Sequence, residues 1–133
     1  MTGLGSPGVQ HPDWYQEIVV IGVSSDMPGL YEWRIEGAGC YIGQYTHVLR
    51  PRREYGLNIG RILAEKPYRK GKPEGFRLIH RELAKAVQAG RSITLTLLEN
   101  HVLKADRNRR ERELIVERRS EAVVTGLRVL NSD

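Results

Sequence analysis

Gly29-Leu30-Tyr31-Glu32-Trp33-Arg34-Ile35-Glu36-Gly37-Ala38-Gly39-Cys40-Tyr41-Ile42-Gly43-Gln44-Tyr45 is the stretch on which the fold turns. Leu30–Ile35 alternates apolar and polar side chains at period two, the spacing of a half-buried strand. Glu36-Gly37-Ala38-Gly39 turns the chain and Cys40–Tyr45 runs back, so the two runs read as a β-hairpin. On adjacent antiparallel strands the phenols of Tyr31 and Tyr41 can emerge on one face. The alternative for the same residues is a hairpin core in which Tyr31, Trp33, Tyr41 and Tyr45 only pack. A dinucleotide-binding loop is excluded: the third glycine of a G-x-G-x-x-G pattern beginning at Gly37 would fall on Ile42, and no helix follows.

Outward from the hairpin, residues 1–13 (MTGLGSPGVQHPD) are Gly- and Pro-rich without periodicity and read as a flexible tail, leaving 14–133 as a single domain. Glu17–Val23 (EIVVIGV) is a β-branched run that reads as a strand. Pro51 suits the first position of a helix running to about Leu63, since its missing N–H is not needed there. Lys66–Gly75 (KPYRKGKPEG) is a basic loop. Phe76–Ala89 sets Phe76, Ile79, Leu83 and Val87 on one helical face, and Gly90 stops it. Ser92–Leu98 reads as a strand. Ala105–Arg119 reads as a charged helix laced by pairs such as Asp106–Arg110 and Arg109–Glu113 at i,i+4. Ala122–Leu130 (AVVTGLRVL) reads as a last strand. The sum is an α+β domain, a small mostly antiparallel β-sheet flanked by about three helices.

Composition bounds the rest. With 133 residues, 40% hydrophobic and 28% charged, the chain has globular rather than disordered proportions. The single cysteine, Cys40, excludes an internal disulfide and a multi-cysteine zinc site, and suits a reducing, cytoplasmic setting. No apolar run approaches the roughly 20 residues that span a bilayer, and Met1–Gln10 lacks the form of a signal peptide. Twenty-one Lys and Arg against 16 Asp and Glu give a net charge of +5, a balance that favours polyanionic partners. The cations gather at Arg50, Arg52, Arg53, Arg61, Lys66, Arg69, Lys70 and Lys72, interleaved with Tyr55 and Tyr68. Of these, Arg52, Arg61, Lys66, Arg69, Lys70 and Lys72 are the candidates to grip a nucleic-acid backbone. His11, His47, His80 and His101 are too dispersed for a zinc signature. His80, at the edge of an apolar helical face, reads either as a semi-buried hydrogen-bonded histidine or as a proton shuttle facing substrate. His47, just past the returning strand, could do likewise.

Gly29-Leu30-Tyr31, nine residues, then Tyr41-Ile42-Gly43 resembles the signature of the GIY-YIG nuclease superfamily, with leucine in place of the usual isoleucine. The resemblance extends over roughly residues 28–131. It implies a metal-dependent endonuclease hydrolysing phosphodiester bonds in DNA, with Tyr31 or Tyr41 activating a water and His47 or His80 assisting. It also implies an arginine on the scissile phosphate. The family spacing falls close to Pro51, so Arg50 is favoured and Arg53 stands second. The family's metal-binding glutamate, followed three and four residues on by bulky apolar residues, is matched by Glu111 with Leu114 and Ile115; Glu113 and Glu117 remain alternatives. Such a site takes one Mg²⁺ (or Mn²⁺), an ion that needs few protein ligands. Val129-Leu130-Asn131 is similar to the family's closing Tyr-Asn element, with Leu130 replacing the tyrosine, and makes Asn131 a candidate to hold the active-site backbone or a phosphate. One active site cuts both strands only as a homodimer or in sequence. The rival reading is a non-catalytic nucleic-acid-binding module of the same fold.

Overall fold

The computed structural model describes residues 14–131, so the segment 1–13 lies outside the described residues. Its centre is the expected hairpin. Strand β2 (Gly29–Ile35) pairs antiparallel with β3 (Gly39–Tyr45), setting Tyr31 opposite Gly43 and Trp33 opposite Tyr41. On its other side β2 pairs antiparallel with β4 (Ile93–Asn100), and β4 pairs parallel with the short β1 (Gln16–Val19). The sheet order is β1-β4-β2-β3, an α+β architecture with antiparallel pairing at two of its three seams.

Alternation along β2 feeds both faces. Tyr31, Trp33 and Ile35 face α1 (Tyr55–Leu63) and α2 (Leu78–Ala89), joining Tyr55, Ile59, Ile79 and Leu83 in the main core. Leu30 and Ile42 face the other way and meet Leu114 of α3 (Lys104–Thr125). Glu32, also on that face, is only 5% exposed; Arg118 at 2.8 Å and Arg34 at 3.1 Å hold it, as a buried carboxylate requires. The aromatic residues interlock, with Trp33 stacked on Trp14 at 5.2 Å and edge-on to Tyr55 at 5.4 Å. Cys40 is buried in this fabric, and burial pushes its thiol up to about 11, which makes it an inert core residue.

Three expectations need correction. The run Ala122–Leu130 is not a strand: α3 continues to Thr125, Gly126 ends it with φ +76°, and Val129 makes only an isolated bridge to Cys40. Nothing between Leu103 and Gly126 breaks a helix, and the modest helix penalty of Val123 and Val124 does not outweigh propagation. The run Glu17–Val23 leaves the sheet early, because β1 is an edge strand with Ile18 and Val19 over 40% exposed and Ile21 fully exposed. The first turn of the helix after Pro51 is π-helical over Arg50–Glu54, and only from Tyr55 is it α.

Two ties hold the periphery. Arg52 grips Glu17 with both guanidinium arms, at 2.9 and 2.6 Å, fastening the π turn to β1. The outer edge of β3 is covered by the C-terminal segment: Cys40 N–H donates to Arg128 O, Leu130 N–H donates to Cys40 O, and Asn131 bonds both backbone groups of Ile42. Among the described residues no helix is long and apolar enough to cross a membrane.

The close seam between β2 and β4 makes a prediction. A Cβ on Gly29 would stand 2.2 Å from the backbone oxygen of Glu99, a neighbour that cannot swing aside. Gly29→Ala is therefore expected to destabilise the domain by about 1–3 kcal/mol or more; an unchanged urea midpoint would show that the seam is looser than described.

Candidate active site

The cleft forms where three elements meet the outer strand. Tyr41 on β3 stands half-buried on the α1/α2 face, beside Arg77, the residue preceding α2. Arg77 Nη1 donates to the Tyr41 hydroxyl at 2.7 Å, and its Nη2 reaches the Tyr55 hydroxyl at 3.4 Å. The Tyr55 and Tyr31 hydroxyls bond each other at 2.5 Å, completing a chain Tyr31–Tyr55–Arg77–Tyr41. Gly43 permits it, because a Cβ there would fall 2.3 Å from the Tyr31 ring. The two motif tyrosines thus share a face and are linked through residues outside the motif.

They are not equivalent. Tyr31 is 1% exposed, and burial, reinforced by the neighbouring Tyr55 phenol, raises its pKa well above the ordinary phenol value. Tyr55 is raised by burial as well. Both stay protonated near neutral pH, and their hydroxyls are engaged in the chain that carries Arg77. Tyr41 keeps its access to solvent.

From the opposite side of β3, Glu111 of α3 reaches the same space. Gln44 Nε2 donates to Glu111 Oε1 at 3.2 Å and to Asn108 at 2.8 Å, while Gln44 Oε1 accepts from Arg107 at 3.3 Å. A cleft of about 380 Å³ is bounded by Tyr41, Arg50, Arg77, Lys104, Arg107 and Glu111. Tyr41, Arg77 and Glu111 also line its continuation past Ile115 and Asn131. Four cations facing one carboxylate make this an anion-accepting surface.

Among the described residues Glu111 has no ion pair, whereas Glu113 and Glu117 are both bonded to Arg110 at 3.2 Å and are exposed on the far side of the helix. Of the three glutamates considered, only Glu111 enters the cleft. No group of three or more His, Cys, Asp or Glu side chains gathers among the described residues. That donor set does not suit zinc, but one unpaired carboxylate in an open polar cleft fits a hard ion that keeps most of its waters.

The other sequence candidates divide. Arg50 lines the cleft; Arg53 points to solvent and lines neither this cleft nor the recess beside it. Arg52 is a correction: its bidentate pairing with Glu17 removes it from the group free to grip a backbone. Arg61, Lys66, Arg69, Lys70 and Lys72 are exposed, on α1 and the loop after it. His47 is exposed beyond β3 and its ring takes no part in the cleft. Asn131 is bound to Ile42 N–H at 2.9 Å and Ile42 O at 2.7 Å, so its amide holds the strand. His80 is 3% exposed, accepting the Arg77 backbone N–H at Nδ1. Burial, with Arg77, Arg50 and Arg81 nearby, pushes its pKa down to about 4, so it is neutral at pH 7.

Comparison with protein-family models, with curated proteins and with solved structures returns no match to this chain. The site therefore stands on its own geometry.

Sequence reasoning missed Arg77, Gln44, Lys104 and Arg107 as cleft residues, and Tyr55 as the buried link beneath them. Arg77 is the most consequential. It sits in an unremarkable Phe-Arg-Leu-Ile-His run, and only the packing of α2 on the sheet brings it to Tyr41. Gln44 carried a usable signal, being a polar residue directly after Gly43 on the strand that the motif marks.

His80 yields a pH prediction. Its folded pKa of about 4 lies below the ordinary 6.5, so the unfolded chain binds its proton first and acid favours unfolding. Relative to His80→Gln, the parent is expected to lose stability as pH falls from 6.5 towards 4, by on the order of 3 kcal/mol in total. Urea denaturation of both proteins at stepped pH checks this, and parallel curves would contradict the neutral assignment.

Proposed function

We propose that this chain is a metal-dependent endonuclease of the GIY-YIG type that hydrolyses phosphodiester bonds in DNA. The observation carrying the reading is the convergence of Tyr41, Arg50, Arg77 and Glu111 on one cleft, supplied respectively by β3, the π turn, the residue capping α2, and α3. A phosphodiester is an anion whose cleavage builds further charge on the phosphorus oxygens, and guanidinium groups fixed in advance stabilise that charge. Arg50, with Lys104 and Arg107 beside it, would hold the scissile phosphate. Tyr41 is the solvent-accessible member of the chain and, in its phenolate form, would take the proton from an attacking water, with the Arg77 guanidinium donating to its oxygen and fixing its orientation. Tyr31 and Tyr55 anchor Arg77 from below.

Glu111 would hold a single Mg²⁺ or Mn²⁺, which when bound supplies Lewis-acid stabilisation of the charge developing during cleavage. Gln44, bonded to Glu111 and itself held by Arg107, fixes the carboxylate's orientation. The exposed Arg61, Lys66, Lys70 and Lys72 extend the cationic surface along α1 and the following loop, where they would track a DNA backbone. A cytoplasmic setting belongs to the same reading and is supported by one buried, unreactive cysteine.

The test is nicking of supercoiled plasmid with Mg²⁺ or Mn²⁺. Glu111→Gln, Arg50→Ala and Tyr41→Phe should each lower the rate by about a hundred- to thousand-fold without altering the circular-dichroism spectrum. Arg53→Ala and Glu113→Gln should cut like the parent. Intact plasmid under both metals, combined with a salt-sensitive gel shift, would replace this reading with the non-catalytic DNA-binding module. Undiminished cutting by Glu111→Gln would remove the metal assignment.

A further inference from the structure

Beside the cleft, and joined to it through Arg50 and Arg77, lies a second recess of about 170 Å³ between the π turn, α1, the basic loop and the start of α2. Arg50, Arg69 and Arg77 bring three guanidinium groups to its wall against the single carboxylate of Glu54. Glu54 approaches Arg50 no closer than 4.0 Å, and both are more than half exposed, so neither neutralises the other effectively. Arg69 lies over the Tyr68 ring at 4.9 Å, which holds its flat face while leaving its N–H groups available.

The floor of the recess has a more specific feature. His80 uses Nδ1 to accept the Arg77 backbone N–H, so the proton of the neutral ring sits on Nε2. Asn58 uses its oxygen to accept from Arg61 at 3.1 Å, which turns its NH₂ group towards His80. Asn58 Nδ2 and His80 Nε2 then lie 3.3 Å apart, both as donors. Two convergent donors under three guanidinium groups suit one acceptor oxygen carrying negative charge.

We propose that this recess is a phosphate subsite, holding the interior phosphodiester next to the one cleaved, on the same strand. Asn58 and His80 donate to one phosphate oxygen, and Arg69 closes over the group from the loop. The assignment rests on the nuclease reading for the identity of the strand, but phosphate recognition itself does not.

The first experiment needs no catalysis. Inorganic phosphate titrated at pH 7 into ¹⁵N,¹³C-labelled protein should shift the His80 ring resonances saturably, while chloride at equal ionic strength should not. Arg69→Ala and Asn58→Leu should each weaken phosphate binding by about ten-fold, equivalent to about 1.4 kcal/mol. A motionless His80 ring, or unchanged affinity in both variants, overturns the subsite even if DNA is cut normally. Phosphate binding without any nicking would instead sink the nuclease reading and leave an anion site. In the cutting reaction, a single neutral methylphosphonate one linkage from the cut should raise KM with little change in kcat, and Arg69→Ala should add nothing further on that substrate. If only removal of a terminal phosphate has an effect, the site takes strand ends and the interior assignment is wrong.

Discussion

The ring of Tyr31 lies across the backbone of Gly43, where any side chain would collide with it, and its hydroxyl is bonded to that of Tyr55. Much else depends on this contact. It fixes how closely α1 seats on the sheet, because Tyr55 is the first residue of that helix and is buried against Trp33. It also sets the height at which Arg77 lies, since Arg77 rests on the Tyr55 hydroxyl before reaching Tyr41. A buried phenol pair of this kind is satisfied only in one geometry, and an unpaired hydroxyl there would carry the full desolvation penalty. Geometry at the cleft is therefore inherited from packing beneath it.

Charge is arranged by the same economy of position. Arg52 and Arg118 are turned inward onto Glu17 and Glu32, where they bind elements together. Arg50 and Arg69 are left facing open space. A run of arginines in sequence is thus sorted by which side of a helical turn each falls on. Pairing with a partly buried carboxylate removes an arginine from ligand recognition as effectively as replacing it.

The hairpin and the α+β class were legible because alternation, a glycine turn and β-branched runs are local signals. The end of α3 was not, since Val123 and Val124 carry strand-like side chains but no chain break precedes Gly126. Of the proposed site residues, Tyr31, Tyr41, Arg50 and Glu111 do come together around one cleft, whereas Arg53 and His47 point elsewhere. The distinction between Glu111 and its neighbours Glu113 and Glu117 depends on the rotation of α3 about its axis, which a charge-rich sequence with few apolar residues hardly encodes. Arg77 was illegible for a different reason: its role is tertiary, created where α2 begins rather than by any motif.

The π turn at Arg50–Glu54 carries one residue more than an α-turn would need. That extra residue lets Arg50 and Tyr55, five positions apart, border the same recess. Wound as ordinary α-helix, the same residues would set Arg50 and Tyr55 about 140° apart around the axis, at roughly 100° per residue, and Arg50 would leave the recess. The winding of this turn, as much as the identity of any side chain within it, therefore decides which residues border the recess.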